Sequence, residues 1–193
     1  MKMLLTVSLL ALALPAMAGP STTIDFTGVA NGTAVTNQYA GAVFSLQGGP
    51  DASGSPLTGA FGDAGLSNSA SGSYPTASIL DVKFTGGADG VSFVFNNEGW
   101  SGGGGRGASF YQAFDKHGLQ LATGSIDGGA SNTDFTVSVG NIAELQFNNN
   151  TGGGDSWLFN LNKLTFTLVP EPMTVALFGV GLLGLGLARR RAA

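Results

Sequence analysis

Between Gly19 and Val169 apolar residues recur at every second position, and this period of two suits pleated strands rather than helices. Val91, Phe93 and Phe95 alternate with Ser92 and Val94, and Phe135, Val137 and Val139 with Thr136 and Ser138. Leu164, Phe166 and Leu168 alternate with Thr165 and Thr167. Similar runs lie at 23–26, 42–47, 79–84, 109–114, 119–123, 143–147 and 157–161. Breaks rich in Gly and Asn separate them, at Gly86-Gly87, Gly128-Gly129, 148–150 and 152–154. About ten short strands with frequent turn signals predict an all-β chain, an antiparallel β-sandwich of jelly-roll type over 19–168. The expected core is Phe93, Phe95, Phe110, Phe114, Phe135, Val137, Leu145, Phe147, Trp157, Phe159 and Phe166. Two polar stretches, 48–77 and 99–107, read as loops.

The two ends follow a different rule. Met1-Lys2-Met3 precedes an apolar run from Leu4 to Leu14, and Ala16 and Ala18 stand in a small-x-small exit. That is the pattern of a secretory signal peptide over 1–18, helical in its apolar part, with cleavage by signal peptidase leaving Gly19 first. Residues 169–193 begin Val169-Pro170-Glu171-Pro172, continue through an uncharged run from Met173 to Ala188, and reach Arg189, Arg190 and Arg191. As a helix the 16-residue run is about 24 Å long, against the ~30 Å of a bilayer core. Thinning of the bilayer and snorkelling arginines let such a helix span. The arginines then act as a cytoplasmic stop, with the domain outside.

Pro170-Glu171-Pro172, the short membrane segment and the basic stop resemble the PEP-CTERM sorting signal of Gram-negative bacteria. The resemblance covers about the last 24 residues. It implies transient inner-membrane anchoring, processing by an exosortase, and transfer to the cell surface or extracellular matrix of biofilm-forming cells. The middle resembles the ectodomains often found with this tail, through Ile24-Asp25-Phe26, Gly32-Thr33, Asn37-Gln38-Tyr39 and Leu161-Asn162-Lys163-Leu164-Thr165-Phe166. In carbohydrate-binding-like jelly rolls the first and last strands can share a structural Ca²⁺. The resemblance places Asp25 and Asn162 in those roles; Asn162 keeps an oxygen but no charge, and Lys163 adds a cation.

Composition narrows the chemistry. There is no cysteine and only one histidine, His117, so disulfides, thiolate metal sites and multi-imidazole sites are excluded. Eleven acidic residues against four basic ones between Gly19 and Val169 argue against nucleic acid as a partner. Gly-x-Gly-x-x-Gly matches at 102–107 and 179–184 lack the strand–helix context of a nucleotide site. The acidic residues are scattered through Gly-rich turns, and no nucleophile elbow is present, so no catalytic residue and no cofactor is assigned. Trp100 and Tyr74, in polar loops, are the candidate platform for a sugar. The reading is an exported, non-catalytic envelope or matrix protein. The alternatives are a carbohydrate-binding module for exopolysaccharide and, third, a secreted hydrolase.

Overall fold

Phe93 and Phe95 are buried while Ser92 and Val94 between them are only half-buried, as a strand with one covered face requires. The structure is a computed structural model describing residues 19–48, 52, 54–59, 64–71, 79–96, 109–126, 131–149, 158–169 and 181. Among them are nine strands: β1 Ser21–Asp25, β2 Ala42–Gln47, β3 Leu66–Ser67, β4 Ile79–Asn96, β5 Ser109–Phe114, β6 Gln120–Ile126, β7 Thr133–Thr136, β8 Ile142–Asn148 and β9 Asn160–Leu168. Every pairing between them is antiparallel. No helix among the described residues is long and apolar enough to cross a membrane. Residues 1–18, expected to form the signal peptide, and residues 170–193, apart from Gly181, lie outside the described residues.

The 18-residue β4 organises the sheet. Its first part pairs with β2 and β8, and its last part with β7 and β9. The expected break at Gly86-Gly87 is corrected: the strand continues through it. Gly86, Gly87 and Gly90 have φ of 85°, 94° and 57°. Side chains disfavour that region, so glycine bends the strand there instead of ending it. The register shifts at the same place, between Lys83 and Ala88 against β8 and between Asp89 and Ser92 against β9. Two ladders result. The first runs β2–β4–β8–β5–β6; the second runs β1–β9–β4–β7, with β3 added beside β9.

Rings from the two ladders meet in the core. Phe147 of β8 lies 4.8 Å from Phe93 and 5.3 Å from Phe95, both in the last part of β4. Phe84 meets Phe166 at 5.0 Å and Phe26 meets Phe44 at 5.5 Å. Each fully buried phenylalanine contributes roughly 1.5–3 kcal/mol through burial. The expected core needs correction at three places. Phe110, Phe114 and Phe135 are half-buried. Phe110 and Phe114 belong to the outer face of β5, opposite the buried Ala113 of its core face. Phe135 stacks on Phe93 at 5.1 Å from the short outer strand β7. Trp157 lies outside the described residues.

Two further expectations change. The separate runs 157–161 and 164–168 become one strand, β9, through a bulge. Val94 faces Lys163 and Phe95 faces Leu161, which leaves Asn162 as the extra residue. The stretch 48–77, read as a loop, contains β3 and the bridges Ala34–Leu57 and Thr58–Leu66. Its polar side chains can be buried because they replace backbone partners. The Thr58 hydroxyl donates to Ala30 O at 2.7 Å, Ser67 donates to Leu57 O at 2.8 Å, and Phe159 N donates to Asn68 Oδ1 at 3.0 Å.

Candidate functional site: a polar row across the first ladder

Register places Ser45, Asp81, Gln146 and Gln112 opposite one another across β2, β4, β8 and β5. Directly paired residues share one face of a sheet. Beside this row run Val43, Lys83, Glu144 and Phe114, and on its other side Gln47, Ile79, Asn148 and Phe110. The intervening positions Phe44, Val82, Leu145 and Ala113 are the buried core row. The polar row is therefore on the face turned away from the core.

Asp81 breaks the pattern of that face. It is 0% exposed, whereas the Lys83 side chain two residues along is 58% exposed. Ser45 Oγ donates to Asp81 Oδ2 at 3.1 Å, and Lys83 Nζ stands 3.8 Å from the same oxygen. Among the described residues Oδ1 has no hydrogen-bond partner. The Asp81 carboxyl instead meets that of Glu144, whose Oε1 accepts from Gln146 Nε2. Loss of solvent raises the Asp81 pKa from 3.8 to about 7, reinforced by the bond to Glu144 and its charge; Lys83 and Ser45 pull the other way. The half-buried rings of Phe110 and Phe114 flank Gln112, whose Nε2 donates to Gln120 Oε1 at 2.8 Å.

This arrangement can hold a proton, exchange it for a cation, or offer planar polar groups to a hydroxylated ligand.

Of the residues singled out from sequence, Asp25 and Asn162 come close through the backbone, since Phe26 N donates to Asn162 O at 2.9 Å. Their side chains do not share a face. Asp25 is exposed, faces Lys163 in register, and accepts from Thr27 N at 3.0 Å and Thr27 Oγ1 at 2.6 Å. Those bonds, with a smaller pull from Lys163, lower its pKa. Asn162 is 4% exposed, and its Nδ2 donates to Asn132 Oδ1 at 2.5 Å. Among the described residues no three His, Cys, Asp or Glu gather into one group. His117 is exposed in a turn, its N–H donating to Asp115 Oδ1 at 2.8 Å. Ala16, Ala18, Tyr74, Trp100, Pro170, Glu171, Pro172, Arg189, Arg190 and Arg191 lie outside the described residues.

Sequence reasoning passed over Asp81 and Glu144. A signal was present: Asp is depleted in strands, and Asp81 sits between Leu80 and Val82 in a run otherwise suited to one.

Residues 168–191 match the family model of the PEP-CTERM protein-sorting motif. The match marks a PEP-CTERM protein, an exported chain sorted at the membrane and targeted to exosortase. No curated protein matches the chain.

Proposed function

We propose that this chain is a non-catalytic envelope or extracellular-matrix protein, delivered by a signal peptide and released from a transient C-terminal membrane helix by exosortase. The observation that carries the reading is the sorting-motif match at 168–191, which contains Pro170-Glu171-Pro172. The ring contacts between the two ladders support folding of the exported part as an antiparallel β-sandwich of jelly-roll type. The uncharged run Met173–Ala188 before three arginines supports the membrane helix. Fractionation of cells expressing Glu171→Ala tests the sorting step. The variant should accumulate in the inner membrane; normal release would overturn the assignment.

A second reading, a carbohydrate-binding module for exopolysaccharide, draws support from Phe110, Gln112 and Phe114 on the outer face of β5. Two half-exposed rings beside amide and carboxyl groups suit the flat apolar face and the hydroxyls of a sugar. A glycan array probed with the full chain in mild detergent should show retention that Phe114→Ala weakens. No retention on any glycan would end this reading.

A further inference from the structure

The match to the sorting motif begins at Leu168, and Leu168 is also the last residue of β9. The end of β9 is paired on both sides, with β1 through Ser21 opposite Thr167 and with β4 through Ala88 opposite Leu168. One residue further, Val169 N donates to Gly87 O at 3.1 Å. Pro170 follows directly, so no linker residue separates the paired chain from Pro170-Glu171-Pro172. Packing closes the same end. A Cβ built on Gly19 would lie 2.6 Å from Leu168 O, and one built on Gly41 would lie 2.7 Å from Leu168 Cδ1. Gly19, the residue expected first after signal cleavage, therefore stands against the residue at which the sorting match begins.

An enzyme that takes a peptide as an extended strand needs the peptide's backbone N–H and C=O groups free to pair with its own. Leu168 and Val169 are held against β4 instead. With release by exosortase as the premise, we propose that the end of the β1–β9–β4 ladder restrains the sorting motif. Leu168 and Val169 must leave Gly87, Ala88 and Gly19 before the enzyme can engage the chain. The opening is local: Leu164 and Phe166, the wholly buried residues of β9 nearest this end, stay in place. Such terminal pairs open at far lower cost than core strands. β1 is the first strand of the chain and β9 the last, so the restraint forms only once the exported part is complete. A finished domain is then released more slowly than its tail alone would allow.

Pulse-chase of the full chain in exosortase-bearing cells, with fractionation of the inner membrane, measures the rate of release. Inserting Gly-Ser-Gly-Ser between Val169 and Pro170 keeps ladder and motif intact but separates them. That variant should be released roughly 5- to 100-fold faster, the span set by freeing two backbone hydrogen bonds. Ser21→Cys with Thr167→Cys should do the reverse, at directly paired positions in a chain with no other cysteine. The oxidised pair, its disulfide checked by intact mass, should be released more slowly, and a reductant should restore the wild-type rate. Either cysteine alone should behave as wild type. The inserted chain carrying Glu171→Ala should stay in the membrane. A wild-type rate for the inserted variant, or for the oxidised pair, would overturn the restraint and leave the exosortase assignment standing. Release of the inserted chain with Glu171→Ala would overturn it too, by showing that another protease reaches the added residues. No release of the wild-type chain would overturn the exosortase reading itself, and the restraint with it.

Discussion

Replacing Asp81 with Asn isolates the consequence of burying a carboxyl against Glu144. The folded protein holds the Asp81 proton up to about pH 7, whereas the usual carboxyl pKa is 3.8. Between those values the folded chain binds more protons than the unfolded chain, so stability falls as pH rises through the window. At about 1.4 kcal/mol per pKa unit, the full loss is roughly 4 kcal/mol by pH 8. Asn has the shape of the protonated acid and donates an N–H toward Glu144 without a proton to lose. Below pH 4 the variant should match wild type. At pH 8 it should be more stable by up to about 4 kcal/mol, or roughly 8–16 °C in melting temperature for a domain of this size. The assay is a set of calorimetric melts of the full chain from pH 4 to pH 8, with a chelator present. Parallel curves for the two proteins, or a variant less stable at pH 8, would refute the raised pKa of Asp81.

Three further outcomes follow from the same structure. Phe147→Ala removes a 0%-exposed ring that contacts Phe93 and Phe95, and should cost about 3–5 kcal/mol in urea unfolding. Phe114→Ala, on the half-buried outer face, should cost less than half as much; equal losses would contradict the assignment of faces. Gly65→Ala puts a Cβ 2.3 Å from the buried Asn162 Oδ1 at a φ of 117°, so the variant should lose about 1–3 kcal/mol by the same measurement. Intact-mass analysis of the exported protein should show a chain beginning at Gly19; retention of Met1 would remove the cleavage assignment.

Much of the fold was legible because the side-chain period of a strand is local. The run Ala42–Gln47 and the run Ser109–Phe114 appear as β2 and β5 at those bounds. The sorting signal was legible for a related reason. It is a linear pattern of prolines, an apolar run and arginines, and it needs no partner elsewhere in the chain. Strand continuity was less accessible. Gly86-Gly87 reads as a break in isolation, since glycine serves turns and bulges alike, and only the neighbours on each side decide which. The stretch 48–77 looked structureless because Ser, Thr and Asn give no apolar period. Their hydroxyls and amides are nevertheless matched to the backbone of distant residues, as Thr58 is to Ala30 and Asn68 to Phe159.

The sequence alone determined the strand class, the polarity of the two ends and the sorting motif, because each depends on spacing along the chain. Tertiary structure decided the site. Asp81 and Glu144 are 63 positions apart in the sequence, and no local rule links them. They meet because β8 pairs antiparallel with the first part of β4, setting Gln146 opposite Asp81 and Glu144 opposite Lys83. That register, together with the burial it imposes, converts an ordinary surface carboxylate into one that holds its proton near neutral pH.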